Sequence, residues 1–316
     1  MEFPIVTYAA IVKDTNIRFD SSSGGVFSAL SKRILDRGGI VYGVGFNENC
    51  TCLRYYRIVS EDDLKLIRGS KYIQVNVGNS FKDVKHDLDA GNTVLFSGTA
   101  CLINGLKLFL GKDYPLLLCV DVICHGVPSQ RLWEKYTSSF CLKNGIKLIN
   151  VNFRCKREGW LHYGVEYQGK DMSKFIPRGK DSYMQFFLND YCLRPSCYKC
   201  VAKKNKLSDV TLGDFWGVQK AIPIIDDDKG ISLVIIRTDK GKTFFQSASD
   251  ELYFIQVDYA EVIKNNPYEY QSCVRPKQRN TFFLDCDRMD LDSLHRKYLS
   301  PSLFERLKQC MKKMLK

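Results

Sequence analysis

The sequence predicts an α/β protein. A largely parallel or mixed sheet with flanking helices is expected in the N-terminal half, and an α+β arrangement with antiparallel strands in the second half. Three observations carry this. From Tyr8 to Gly145, apolar runs of strand length alternate with segments of helical periodicity, the pattern of strands joined by helical crossovers. The runs Pro115–Cys124 and Ile231–Ile236 are apolar almost throughout, as strands covered on both faces must be. After about Asn150 the pattern changes to strands such as "LINVNFRCK" and "HYGVEYQG", which read as an antiparallel pair.

The elements follow in order. "YAAIV" reads as the first strand. "SSSGGVFSALSKRILDRGG" is a serine–glycine turn running into a helix, with Val26, Phe27, Leu30, Ile34 and Leu35 on its apolar face and Gly38-Gly39 ending it. "IVYGVGF" and "LRYYRIV" are strands, and Ser60 is placed to cap a short helix reaching Leu66. "SFKDVKHDLDAG" is helical, "TVLFSG" a strand and "INGLKLFLG" helical. "PLLLCVDVIC" is a buried strand, and "SQRLWEKYTSSFCLKNG" is a clear helix. Beyond the antiparallel pair, "SYMQFFLNDY" is helical, and "SLVIIRTDKGKTFFQSAS" is a strand, a turn and a helix. The chain is expected to be irregular and polar past Asn265 and to end in a lysine-rich helix, Pro301–Lys316. Three parts are expected: residues 1–95, 96–265 and 266–316.

Composition narrows the class. The chain has 316 residues, 45% hydrophobic and 26% charged, as in globular proteins. No stretch approaches the roughly 20 apolar residues of a membrane span. "MEFPIVTYAA" lacks the basic start of a signal peptide, so a cytoplasmic location is expected. Thirteen cysteines in such a setting argue against a disulfide scaffold. The net charge of +12 admits nucleic acid, an anionic surface, an acidic protein or an anionic cofactor. With no helix-turn-helix, zinc-finger or RNA-binding signature, nucleic acid is the weakest of these.

Cysteine placement is the strongest chemical signal. In "RPSCYKCVAKKNKLSDVTLGDFWG", Cys197 and Cys200 form a CxxC, which supplies two soft ligands where a metal centre needs about four. In open sheets, sites form beyond the carboxyl ends of parallel strands. "TVLFSGTAC" and "LLLCVDVICHG" put Cys101 and Cys124 just past two such ends. Four thiolates suit zinc or an iron–sulfur cluster equally; two single cysteines far apart at the edge of a sheet favour the cluster. Cys192, in "CLRPSCYKC", is a rival ligand. Elsewhere, the small residues of "SSSGGVF" open a helix whose free N–H groups could hold an anion, or they form only a serine-capped turn. "RGSKYIQ" adds a glycine turn with a lysine and a tyrosine. In "FRCKREGW", Arg154, Lys156 and Arg157 either clamp an anion or form a solvated basic hairpin.

Taken together, "SSSGGVFSAL", "RGSKYIQ", "VLFSGTACLINGLK", "DVICHGVPS" and "SCYKC…SDVTLGDFWG" resemble the coenzyme F420 hydrogenase/dehydrogenase beta-subunit family, in that family's order, from about Phe19 to Gly217. The resemblance implies an iron–sulfur flavoprotein with FAD and a [4Fe–4S] cluster, passing electrons between the cluster and a two-electron carrier or substrate, the deazaflavin coenzyme F420 in hydrogenase partners. It places Cys101, Cys124, Cys197 and Cys200 at the cluster and none of the motif positions at Cys192. It places Ser22, Ser23, Gly24, Gly25, Gly69, Ser70, Lys71 and Tyr72 at the flavin. Lys71 and Arg154 would stabilise the anionic reduced flavin. Two departures stand out. The chain starts at the core without the ferredoxin-like segment of many bacterial members, and Ala100-Cys101 replaces the more usual proline–cysteine. Many bacterial relatives accompany surface-polysaccharide genes, so a link to that biosynthesis is one expectation. A non-catalytic cluster- or zinc-containing assembly subunit is the alternative.

The expected partners are a small-molecule substrate and an acidic ferredoxin- or flavodoxin-like carrier. The carrier would dock on Lys199, Lys203, Lys204 and Lys206 beside the CxxC. The C-terminal helix, with Leu303, Leu307 and Met311 apolar and Lys308, Lys312, Lys313 and Lys316 around them, would touch an acidic partner or an anionic membrane. Homo-oligomers are compatible with this reading.

Overall fold

The computed structural model describes residues 4–222 and 227–300. The first half runs β1 (Val6–Val12), α1 (Thr15–Asp20), α2 (Val26–Leu35), β2 (Ile40–Phe46), β3 (Leu53–Ile58), α3 (Leu64–Ile67), β4 (Val75–Asn76), α4 (Ser80–Asp89), β5 (Val94–Thr99), α5 (Ala100–Leu110), β6 (Leu117–Val122) and α6 (Gln130–Asn144). The second half runs β7 (Leu148–Cys155), β8 (Gly164–Gly169), β9 (Ser173–Pro177), α7 (Ser182–Leu188), β10 (Val210–Asp214), α8 (Val218–Ala221), β11 (Ser232–Ile236), α9 (Asp239–Ser247), β12 (Leu252–Gln256), α10 (Tyr259–Val262), α11 (Arg279–Arg288) and α12 (Leu291–Tyr298).

The α/β expectation holds. A nine-stranded mixed sheet has the order β12-β1-β11-β10-β6-β5-β2-β3-β4, and β7-β8-β9 form a separate antiparallel sheet. The centre of the large sheet, β10-β6-β5-β2, is parallel. Its register pairs Thr99 with Val122 and Val122 with Leu212. The ends of β5 and β6 therefore finish level, β10 runs two residues further, and Cys101 and Cys124 each follow their strand end by two residues. Helices α2 and α9 cover one face through Leu30, Ile34 and Phe245; α4 and α5 cover part of the other through Val84, Ile103 and Leu106. The small sheet packs with α6, α7, α11 and α12 around an aromatic core. There Trp133 is fully buried against Phe46, Phe153 and Tyr183, its indole N–H donating to Cys50 O at 2.8 Å.

Several expectations are corrected. Helix α5 begins at Ala100, so Cys101 stands in a first helical turn and not in a loop. Ser60 precedes a 3₁₀ turn and α3, but its hydroxyl caps neither. The segment past Asn265 is not wholly irregular: it contains α11 and α12, each with two buried residues, too few to mark a helical stripe in the sequence. Asp290 caps α12 by accepting from Ser293 N at 2.8 Å. The predicted helix Pro301–Lys316 lies outside the described residues.

Candidate cofactor and cluster site

The serine–glycine turn follows β1. Val12 N donates to Gly24 O at 2.7 Å and Gly24 N to Ser232 Oγ at 3.0 Å. A Cβ on Gly24 would lie 2.3 Å from Ala10 O, so this glycine is required by close packing on β1 and β11. Gly25 has φ +85° and caps α2, with no side chain bonded to the helix terminus. Ser23 is committed, its hydroxyl donating to Ile231 O at 2.6 Å. Its carbonyl accepts from Lys156 Nζ at 3.1 Å, and that ammonium also reaches Arg18 O at 2.6 Å and Lys229 O at 2.7 Å. Lys156, predicted as part of an anion clamp, is thus a buried staple beneath the turn.

The second glycine turn meets the first. Ser70 N donates to Ser22 Oγ at 2.7 Å, and Arg68 Nε to Ser28 Oγ at 3.0 Å. Lys71 Nζ folds back onto Arg68 O at 2.7 Å and Gly69 O at 3.2 Å. Burial, reinforced by the Arg68 charge, lowers the Lys71 pKa to about 7. The Tyr72 ring stacks on Phe187 with centroids 4.9 Å apart. Ser22, Ser23, Gly25, Gly69, Ser70, Lys71 and Tyr72 all line one cavity of about 1100 Å³, just above the range of roughly 300–1,000 Å³ common for ligand pockets. Gly24 does not reach it. The far wall is built from the residues after β5 and β6 and from the end of β10, the place where parallel sheets bind ligands.

All four predicted cysteines come together. Cys101, Cys124, Cys197 and Cys200 line a second, small cavity of about 30 Å³, and Cys101, Cys124 and His125 also line the large one. Burial pushes the Cys124 thiol up to about 12, opposed by Lys203 and reinforced by Cys101, Cys197 and Cys200. Val127 N donates to Cys197 Sγ at 3.4 Å. Cys192 is fully buried in the aromatic core and lines neither cavity. A single tetrahedral zinc draws its sulfurs to roughly 3.8 Å from one another. Among the described residues the four thiols form no group with ligand atoms all within 4.8 Å. The four sulfurs are therefore not gathered about a single point, and four cysteine thiolates are also the donor set of an iron–sulfur cluster.

Arg154 stands apart from the cavity lining. Its guanidinium makes two bonds to Asp214, 2.7 and 3.1 Å, and lies 3.9 Å from the Tyr163 ring centroid. Its positive charge is matched locally, and Asp214 is what reaches the cavity. The lysine loop is also corrected. Lys203 is buried, donating to Cys124 O and Tyr268 O, and Lys206 is ion-paired with buried Glu269. Neither is free to meet a partner. Sequence reasoning missed a group beside the four cysteines: His125 Nε2 lies 2.7 Å from Asp190 Oδ1, and the Cys273 thiol donates to His125 O. His125 follows Cys124 directly, but nothing in the local sequence marks Asp190 or Cys273 as its neighbours.

Two family models match this chain. Both describe the beta subunit of coenzyme F420 hydrogenase/dehydrogenase: the model of its N-terminal part matches residues 7–82, and the model of its C-terminal part matches residues 91–261. The chain belongs to the coenzyme F420 hydrogenase/dehydrogenase beta-subunit family. This is a family of electron-transfer oxidoreductase subunits. Both serine–glycine segments lie within its N-terminal match and all four cysteines within its C-terminal match. A chain of the F420-reducing [NiFe] hydrogenase complex from Methanosarcina barkeri, solved as a xenon derivative, has 16% identity and a TM-score of 0.54 over 84% of this chain and 91% of that one. At that identity the likeness shows a shared fold. No curated protein matches the sequence.

Proposed function

We propose that this beta-subunit family member is an oxidoreductase holding FAD and a [4Fe–4S] cluster, and that it passes electrons between a ferredoxin- or flavodoxin-like carrier and a two-electron carrier or small-molecule substrate. Coenzyme F420 is the carrier for which the family is named. One observation carries the reading: the large cavity and the four-cysteine cavity share Cys101, Cys124 and His125 as a common wall. When bound, a flavin supplies two-electron chemistry and a cluster one-electron chemistry, so adjacent sites connect the two.

The chain's own residues fit these groups. Helix α2 presents its uncapped N-terminus to the cavity beside Ser22 and Ser23, a setting that favours a pyrophosphate. The Lys71 ammonium adds a cation on the same wall. Cys101, Cys124, Cys197 and Cys200 would hold the cluster, with Val127 N–H tuning the Cys197 sulfur. Cys192 packs in the aromatic core and lines neither cavity, which supports leaving it out of the ligand set.

The test is anaerobic purification with iron, sulfide and flavin analysis and an absorption spectrum. The expected protein is yellow-brown, with flavin bands over broad cluster absorption. Serine at Cys101, Cys124, Cys197 or Cys200 should lose iron or make it oxygen-labile, and serine at Cys192 should leave it in place. A colourless zinc protein would support a structural assembly role and overturn the reading.

A further inference from the structure

The surface nearest the cysteine cavity is built by two segments, 191–207 and 268–279, bound to each other. Cys200 N donates to Ser272 Oγ at 2.9 Å. Lys203 reaches Tyr268 O and Lys206 pairs with Glu269. Arg279 bridges back to Leu193 O at 2.7 Å and Tyr198 Oη at 3.2 Å. Each segment places an exposed valine next to a buried or half-buried cysteine: Val201 after Cys200 and Val274 after Cys273, both 81% exposed. Lys199, Lys204, Arg275 and Lys277 are also exposed. None of these four cations forms an ion pair among the described residues. Neither 191–207 nor 270–284 contains an aspartate or glutamate, and Glu269 is buried under two cations.

We infer that this face, with exposed valines following Cys200 and Cys273 and, on the same two segments, exposed cations that form no ion pair among the described residues, is the docking site of an acidic one-electron carrier protein of the ferredoxin class. The inference rests on the function proposed above. Small electron-transfer interfaces need little area, and their cations set encounter rate and orientation. A second copy of the chain is disfavoured, because a two-fold contact through this face would oppose like charges. The acidic carrier is the occupant that complements it. Each encounter passes one electron, so two encounters and one proton balance one hydride equivalent.

The test is surface plasmon resonance with the full chain and an acidic plant-type [2Fe–2S] ferredoxin, with basic cytochrome c as control, at low and high ionic strength. Wild type should bind ferredoxin with an association rate that falls with salt, and should not bind cytochrome c. The triple variant Lys204→Glu/Arg275→Glu/Lys277→Glu should associate at least about tenfold more slowly, while keeping its circular dichroism and dithionite-bleached absorbance. Val201→Ser/Val274→Ser should speed dissociation and leave association unchanged. No ferredoxin binding by wild type, or a triple variant that associates normally, overturns the proposal. So does a triple variant whose only losses are duplex DNA binding or self-association. A chain that binds ferredoxin but holds neither iron nor flavin would sink the cofactor reading and leave the face standing.

Discussion

Lys71 is the side chain on which the cavity's electrostatics turn. Its ammonium has two carbonyl acceptors and no carboxylate, and burial brings its pKa to about 7. An anion entering beside it favours the charged form, so binding draws a proton onto Lys71. Affinity for FAD should be highest below pH 7 and fall as pH rises through that value. Lys71→Met should weaken binding by roughly tenfold, about 1.4 kcal/mol, and flatten the pH dependence; fluorescence titration of apoprotein with FAD measures both. A Lys71→Met protein that keeps the wild-type slope would place the titrating group elsewhere. Arg154 makes the opposite case: its charge is held by Asp214 and its face by Tyr163, so its expected role is to orient Asp214.

The turn between β1 and α2 shows how backbone limits which test is informative. Gly25 is in the left-handed region, and a Cβ there would meet Val12 Cγ1 at 2.6 Å. Any side chain at Gly25 therefore strains the fold before it can repel a phosphate. Gly69 shares the left-handed conformation, at φ +82°, but its Cβ would meet only Ser22 Oγ at 3.8 Å. Gly69→Ala should cost about 1 kcal/mol, the dihedral penalty alone. Gly25→Ala should cost more, about 2–4 kcal/mol, because overpacking against Val12 adds to it. Urea unfolding midpoints at equal slope would show the order, and equal costs would mean that Val12 moves aside freely.

Across the molecule, the segment after α10 is tied to the central sheet by charge. Glu269 is 3% exposed and accepts from both Lys206 and Arg237. Removing it leaves two buried cations, and breaking such a network costs about 3–5 kcal/mol. Asp121, fully buried beside these cations, can take up part of their field, so Glu269→Ala is expected at the lower end of that range. Chemical denaturation of the chain would measure it. A loss under about 1 kcal/mol would mean that solvent reaches the cations.

The same molecule separates local from distant information. The strands, the crossover helices and the convergence of four cysteines on one edge were legible from the sequence. The elements rest on local pattern, and the pairing of Cys101 with Cys124 on the rule that adjacent parallel strands end level, as Thr99 and Val122 do; that Cys197 and Cys200 join them was implied by the family resemblance. Helices α11 and α12 were not legible, since two buried residues apiece leave no apolar stripe. Which charges are available was decided by the tertiary fold. Lys203 and Lys204 are neighbours of identical chemistry, yet Lys203 is buried on the carbonyl of Tyr268, 65 residues away, and Lys204 is exposed. His125, Asp190 and Cys273 likewise meet only because three distant segments pack together. Desolvation and pairing depend on what lies across the interior from a side chain. A lysine's residue type and position in the chain do not reveal whether its charge faces water or a buried carbonyl.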